Sequence, residues 1–166
     1  MEYIACAITG HRPTRFKWKY NENNNGCKRL KRRLKEQFVQ LYDKGVLLLE
    51  LKEQPEYSDI ELVLVLPFDG HDRDWDPKSR RRLSVLRQHS TEVVIAGTAE
   101  NSPVTNYRLR NQYMVDHASC LLAVYDNDRN LRSGTMQTVN YARRKGLPIT
   151  LIHPDSAAVS YEIGIG

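Results

Sequence analysis

The sequence has no hydrophobic run long enough to cross a membrane. Its longest apolar stretches, 60–68 (interrupted by Glu61) and 120–124, fall far short of the roughly 20 residues that a membrane-spanning helix needs. The N-terminal residues show no positive segment followed by an apolar stretch and a cleavage site, so nothing predicts export. No membrane span is expected, and we expect a cytoplasmic protein.

Cysteine is scarce and carries no recognisable spacing. The chain has 3 cysteines, Cys6, Cys27 and Cys120, with no C-x-x-C pair among them. Two of them lie in apolar runs that predict strands, where cysteine behaves as a small apolar residue. We therefore interpret all three as reduced thiols.

Several catalytic motifs are also missing. There is no G-x-x-x-x-G-K-[ST] loop and no G-x-S-x-G elbow, which excludes a Walker-type nucleotide hydrolase and a typical serine hydrolase. One acidic segment with a histidine could suggest a metal, but its spacing fits no defined metal loop, and we predict a capped solvent loop without metal. Its members are Asp69, His71, Asp72, Asp74 and Asp76.

The length and composition of the chain predict one soluble globular domain over residues 1–166. A chain of 166 residues, 40% hydrophobic and 27% charged, can bury a sizeable core and is too short for two full-sized domains. The formal net charge is +5, and the excess is concentrated at 28–35 and 80–82. Such density favours anionic partners, although a solvated helix face explains it equally simply.

Short apolar runs alternate with amphipathic stretches along the chain. Strands are predicted at 3–8, 60–66, 92–96, 121–125 and 149–152, and helices follow at 27–44, from Pro77, from Pro103 to about Ala118, and from Gly134. Strands made almost wholly of apolar residues and separated by helices indicate a mainly parallel sheet covered on both faces. The predicted class is α/β, doubly wound and Rossmann-like.

Two turns after predicted strands suit an anion. Thr9-Gly10-His11-Arg12 offers a hydroxyl, a glycine that permits close backbone approach, and a guanidinium for phosphate oxygens. Asp126 follows a second strand, and Ser133-Gly134-Thr135 then begins a helix whose free N–H groups attract phosphate. Ligands bind at the carboxyl ends of parallel strands, so we predict that these turns form one nucleotide cradle. Taken singly, each is equally well explained as an ordinary capped turn.

Arg110 is predicted as a third phosphate or carboxylate contact, because it lies in the helix after the strand at 92–96. An exposed helix arginine is the alternative. Trp75 is predicted to pack at the domain edge, with stacking on a ligand base as the alternative.

These segments together resemble the YpsA-like branch of the SLOG superfamily. The resemblance rests on Thr9 to Pro13 after the first strand, Pro67-Phe68 followed by Trp75, Arg110-Asn111 with Val115-Asp116, and Tyr125-Asp126 with Ser133-Gly134-Thr135. It implies a Rossmann-like domain that binds a nucleotide or ADP-ribose-type ligand, requires no cofactor, and forms a homodimer. Distant relatives include the LOG phosphoribohydrolases and the DNA-processing protein DprA, so the resemblance implies a class of binding rather than a reaction.

The sequence departs from that family in two places. Members carry a further strand and a G-x-x-G-x-D loop after the first helix, whereas here Gly45-Val46 continues directly into 47–52, which suits a buried strand or a helix, with the helix favoured. Either the protein lacks this strand and its loop, or a segment is missing at the 45–46 junction. We favour a missing segment, because losing a central strand would leave a hole in the core. LOG enzymes also place glutamates after the Gly-Thr pair, where this chain has Met136, Gln137 and Thr138, and the LOG reaction is disfavoured because glutamine cannot accept a proton.

Three functions follow as hypotheses. The first is a sensor or regulator that binds a phosphate-bearing nucleotide derivative between the two turns. The second is a hydrolase of a nucleotide glycosidic or phosphate bond, with His11 or Asp126 as acid or base. The third, less favoured, is nucleic-acid binding through a basic helix face that contains Lys28, Arg29, Arg32 and Arg33.

Overall fold

The computed structural model describes residues 5–42 and 58–164. The chain divides into two compact units, residues 1–46 with 115–166 and residues 47–114, and each is described by itself. The predicted helix end at 43–44 and the predictions for 47–52 and for the 45–46 junction lie outside the described residues. Among the described residues, no helix is long and apolar enough to cross a membrane.

The first unit contains a four-stranded sheet in the order β1-β4-β5-β6. β1 (Cys6–Gly10), β4 (Cys120–Val124) and β5 (Ile149–Ile152) are parallel, and β6 (Val159–Glu162) adds to β5 in the antiparallel direction. The fold is therefore α/β with a mainly parallel sheet and is Rossmann-like, as the sequence predicts.

Helices pack on both faces of this sheet because its strands are apolar on both sides. On one face, Leu122, Val124 and Ile152 pack with Leu30 of helix α1 (Asn25–Tyr42), and Leu34 and Phe38 of α1 pack around them. Strand alternation directs Leu121 and Ala123 to the other face, where both are buried, and helix α4 (Gly134–Arg144) contacts β1, β4 and β5.

The second unit contains a separate pair of parallel strands, β2 (Val63–Leu66) and β3 (Glu92–Ile95). It also contains helix α2 (Pro77–His89) and helix α3 (Pro103–Asp116), except for the last two residues of α3, which belong to the first unit. Both helices start at the predicted residues, Pro77 and Pro103, and each start is preceded by a capping residue. The Asp76 carboxylate accepts from the Ser79 N–H at 3.0 Å, and the Ser102 hydroxyl oxygen accepts from the Thr105 N–H at 3.2 Å.

Polar packing follows β3. Asn106 is 2% exposed, and its amide donates to the Thr98 carbonyl at 2.8 Å and accepts from the Thr98 N–H at 3.2 Å. Gly97 lies directly beneath this amide, so a Cβ there would collide with Asn106 and with the Pro67 carbonyl. Helical spacing predicts that Leu109, Tyr113 or Met114, and His117 face inward, and this prediction is wrong. The buried residues of α3 are Asn106, Asn111 and Val115, while His117 is exposed and follows the helix.

The main differences from the predictions concern β1, β2 and the C-terminal tail. β1 includes Thr9 and Gly10, which were expected in a loop, because their backbone pairs with Ala123 and Val124. β2 begins at Val63, three residues later than predicted. The tail after Pro154, which lacked a clear pattern, forms the edge strand β6. Although one sheet was expected, the described strands form two separate ladders.

Candidate functional site

The carboxyl ends of β1 and β4 lie side by side. Gly10 pairs with Val124, and the His11 N–H continues the ladder by donating to the Val124 carbonyl at 3.1 Å. A Cβ on Gly10 would lie 3.3 Å from the Val124 Cβ, so the missing side chain permits this close approach. The turn after β1 and the loop after β4 therefore leave the sheet at the same edge, as predicted.

A hydrogen bond between side chains joins the two connections. His11 Nε2 lies 3.1 Å from Asp126 Oδ1, and Arg15 Nη1 lies 3.4 Å from His11 Nδ1. Arginine can only donate, so Nδ1 must accept, and the neutral ring then carries its proton on Nε2 and donates it to Asp126. The His11 side chain is 2% exposed and both ring nitrogens are occupied, whereas the Asp126 side chain is 30% exposed.

Asp126 is held as a carboxylate. Burial raises the pKa of Asp126, but hydrogen bonds from the His11 ring and from the Asp128 N–H outweigh burial and hold that pKa below its ordinary value. Both bonds end on Oδ1. Within the described ranges Oδ2 accepts no hydrogen bond, so it can accept one from a ligand hydroxyl.

Local contacts shape the loop after β4. The buried Tyr125 packs edge-on against the His11 ring at 5.3 Å, and its hydroxyl donates to the Asp128 carbonyl at 3.1 Å. Burial raises the pKa of Tyr125, with the Asp126 charge acting in the same direction, so the phenol keeps its proton. Asn127 has a φ of 60°, and its side chain accepts from Arg143 at 3.0 Å. These contacts fix the first part of the loop, at 125–128, whereas 129–132 is exposed to solvent.

The loop ends at the start of α4, as predicted. The Ser133 hydroxyl oxygen accepts from the Met136 N–H at 3.0 Å, which leaves the N–H groups of Gly134 and Thr135 without an intrahelical acceptor. Gly134 is exposed and has no side chain, so its backbone is accessible to a ligand, whereas the Thr135 side chain is buried. Thr138 donates its hydroxyl back to the Gly134 carbonyl at 2.9 Å, so it serves the helix and is not available to a ligand.

Arginines surround this edge. Arg12 is exposed, and in the part of the chain that the structure describes its side chain forms no hydrogen bond or ion pair. Arg15 follows in a 3₁₀ turn (Pro13–Arg15), and the loop after β4 carries the exposed Arg129 and Arg132. Sequence reasoning selected Arg12 and missed the other three. Arg15 follows the first selected turn, and Arg129 and Arg132 lie between Asp126 and Ser133, so closeness in sequence to the selected residues was the available signal.

Arg110 belongs to the second unit. Its Nε donates to the buried Asn111 amide oxygen at 2.9 Å, and its guanidinium lies 5.5 Å from the Tyr107 ring centre. Its participation in a site with the first-unit residues stays a prediction.

The basic face of α1 is partly used inside the first unit. Arg29 donates to the Asp155 carbonyl at 2.8 Å, and Arg33 donates to the Ala157 carbonyl and to Glu36. By contrast, three exposed cations have no hydrogen bond or ion pair among the described residues: Lys28, Arg32 and Lys35. Their i, i+4, i+7 spacing places them along one stripe of the helix.

The acidic segment of the second unit forms a capped loop. Asp76 caps α2, Asp72 lies 3.6 Å from Arg80, and His71 donates from Nδ1 to the Phe68 carbonyl at 3.2 Å. Trp75 is 41% exposed and packs edge-on against His71. No described group of three or more His, Cys, Asp and Glu side chains is arranged to hold a metal ion.

Comparison with known proteins decides the family. Residues 47–157, about two-thirds of the chain, match the model of the YspA SLOG family (YpsA). The chain is a member of the YspA SLOG family. The matched range includes Arg110, Asp126 and the start of α4, whereas the turn after β1 precedes it.

Among relatives of this YspA SLOG protein, the UPF0398 protein YpsA of Bacillus subtilis (strain 168) is 25% identical over 176 residues, covering 95% of this chain and 97% of that protein. The SPbeta prophage-derived protein YoqJ of the same strain is 26% identical over 113 residues, covering 60% of this chain and 64% of YoqJ. The UPF0398 protein SH1465 of Staphylococcus haemolyticus (strain JCSC1435) is 23% identical over 74 residues, covering 45% of this chain and 40% of that protein. The similarity to YpsA thus spans nearly the full length of both chains.

Proposed function

We propose that this YspA SLOG protein binds a phosphate-bearing nucleotide derivative at the carboxyl edge of β1 and β4 and acts as a sensor or regulator. The contact between His11 and Asp126 carries the proposal. It fixes the loop that leads to α4 beside the turn after β1, so groups distant in sequence share one edge of the sheet.

The phosphate and the ribose of a nucleotide each have a chemical counterpart at this edge. The Gly134 and Thr135 N–H groups and the positive end of α4 favour a phosphate, and Arg12 supplies a guanidinium with no internal partner among the described residues. Asp126 Oδ2 can accept a hydrogen bond from a ribose hydroxyl, because the low pKa of Asp126 keeps the carboxylate ionised. Arg110 belongs to the second unit, and its role as a phosphate contact stays a prediction from the sequence.

Calorimetric titration with AMP, ADP, ATP, ADP-ribose and inorganic phosphate tests this proposal. Removing one charge-assisted phosphate contact costs about 1.5–3 kcal/mol, so Arg12→Ala should weaken binding roughly 10- to 100-fold. Lys35→Ala is the matched control, since it removes an exposed cation of α1 that has no partner among the described residues. Failure of the whole panel to bind, or equal affinities of Arg12→Ala and wild type, would refute the proposal.

Hydrolysis of a nucleotide glycosidic or phosphate bond is the alternative at the same edge. The geometry reduces its candidates to one residue, because His11 is enclosed and both its nitrogens are engaged. Asp126 would have to act as the base. If turnover occurs, Asp126→Asn should abolish product formation while a non-hydrolysed nucleotide still binds; chromatography of the incubated ligand measures it.

Nucleic-acid binding remains a second candidate, supported by the stripe of Lys28, Arg32 and Lys35. Three cations on one helix face that have no partner in the part of the chain that the structure describes can follow a phosphate backbone. Arg29 and Arg33, by contrast, are engaged inside the unit. The affinity for a labelled single-stranded oligonucleotide, measured by anisotropy, should then fall steeply as salt is added. Charge reversal of the three residues should reduce, by about 2, the slope of the logarithm of the binding constant against the logarithm of the salt concentration. Arg12→Ala is the control here, and an unchanged slope would rule this candidate out.

The homodimer that the family resemblance implies is likewise a proposal. Light scattering of the purified chain at several concentrations tests it directly.

A further inference from the structure

Two cysteines face each other across the first unit's sheet. Cys6 of β1 and Cys120 of β4 are register partners in a parallel ladder. Neighbouring strands lie about 4.7–4.9 Å apart, inside the range of about 4.4–6.8 Å between the Cα atoms of disulfide-bonded cysteines. Paired residues of parallel strands point to the same face, which here is the α1 face, because Cys6 packs against the cluster that contains Leu122 and Val124.

We propose that Cys6 and Cys120 form a paired-thiol modification site, which a low-molecular-weight disulfide such as glutathione disulfide converts reversibly into an intrachain disulfide. Both residues are free and only partly buried. The reagent has to reach Cys120 alone, because Cys6 then reacts within the chain. They lie at the first residues of β1 and β4. The candidate nucleotide site lies at the opposite strand ends, so this site is independent of it.

The two thiols differ in reactivity. A hydrogen bond from Cys6 lowers the pKa of Cys120 despite partial burial, whereas the same contact and burial raise the pKa of Cys6. The thiolate is the nucleophile in thiol–disulfide exchange. Cys120 therefore reacts first, and Cys6 completes the reaction.

The reaction balances in two exchange steps. The Cys120 thiolate attacks one sulfur of glutathione disulfide, forms a mixed disulfide and releases one glutathione thiolate. The Cys6 thiol then loses its proton, and its sulfur attacks the Cys120 sulfur, forms the Cys6–Cys120 bond and releases the second glutathione thiolate. The two protein thiols lose two electrons and two protons, and glutathione disulfide is reduced to two glutathione molecules.

The test incubates the full-length protein with glutathione buffers of rising oxidised fraction, stops exchange with acid, and alkylates the remaining thiols. Intact mass should show that two of the 3 cysteines are no longer alkylated and that no glutathione is retained. Non-reducing peptide mapping should identify the Cys6–Cys120 link and an alkylated Cys27. Excess reduced glutathione should restore three alkylated cysteines.

Variants test the order of the steps. Cys6→Ser should accumulate the mixed disulfide on Cys120, and Cys120→Ser should leave Cys6 largely unmodified. Cys27→Ser is the matched control and should form the Cys6–Cys120 disulfide as the wild type does. Three alkylated cysteines at the most oxidised ratio, a mixed disulfide that persists in wild type, or a link through Cys27 would each overturn the proposal, and mapping of the wild-type chain gives this answer even if a variant fails to fold.

Discussion

At the residue scale, the contact between His11 and Asp126 limits the chemistry of the candidate site. His11 looks in the sequence like a free acid or base, but its ring is enclosed and hydrogen-bonded through both nitrogens. Asp126 keeps its charge because those contacts lower its pKa. The edge is thus equipped to bind and orient a ligand, with at most one group placed to accept a proton.

Gly97 gives the sharpest prediction for a single residue. Gly97→Ala should destabilise the protein by about 1–3 kcal/mol, because the new Cβ must displace the Asn106 amide or the Pro67 carbonyl. Chemical denaturation measures the effect. The neighbouring Thr98→Ala is the control and should stay within about 0.5 kcal/mol, since Thr98 bonds Asn106 through its backbone and its side chain is exposed. Equal stabilities of the two variants would show that the loop after β3 relaxes freely.

Sequence reasoning selected His11 and Asp126 separately but could not pair them. They are 115 positions apart, and no local pattern encodes a contact over that separation. The register of β1 with β4 brings them together, and register depends on how the apolar faces of both strands are buried.

At the element scale, local signals placed the helices well. Ser133 caps α4 and Asp76 caps α2, both as predicted, because a cap is a contact with the N–H three residues later. β6 escaped prediction because only one side of an edge strand needs apolar residues, and Val159 to Glu162 is largely polar. Its place depends on pairing with β5 and on Arg143 of α4, which donates to Glu162 at 2.7 and 2.9 Å.

This ion pair predicts a pH-dependent stability. The hydrogen bond from Arg143 lowers the pKa of Glu162, so the carboxylate's contribution is present above its unfolded value and is lost as pH falls through the lower folded value. Glu162→Gln should lower the free energy of unfolding at pH 7 by about 1 kcal/mol, a modest value because the pair is partly exposed. The difference from wild type should shrink from roughly pH 5 downward.

Urea denaturation of both proteins at pH 7, 5, 4 and 3 measures that difference. Glu36→Gln is the control, since Glu36 belongs to an exposed pair within one helix, for which about 0.3–0.5 kcal/mol is expected. A constant gap between Glu162→Gln and wild type across this range would contradict the assigned pKa shift.

At the scale of the whole molecule, the open question is whether the two units unfold together. The length of 166 residues predicts one domain, and a two-stranded ladder such as β2–β3 is only marginally stable alone. The ladder also exposes Val63, Val93 and Ile95 by 42–49%. We therefore expect a single cooperative transition.

Calorimetry of Gly97→Ala and Glu162→Gln tests this expectation, because the first substitution lies in the second unit and the other in the first. Both should lower the midpoint of the same transition. Two transitions, each sensitive to only one of the variants, would show instead that the chain consists of two independent domains.

The sequence by itself determined the α/β class, the helix starts, the two turns at strand ends and the family resemblance. These features depend on hydrophobic period, capping chemistry and short motifs, all of which act over a few neighbouring residues. Only the tertiary structure decided that His11 bonds to Asp126, that Arg29 and Arg33 are engaged while Lys28 and Arg32 remain unpaired within the described ranges, and that Cys6 faces Cys120. Each of these depends on strand register and helix packing, which bring distant segments together and are fixed by burial of the whole core.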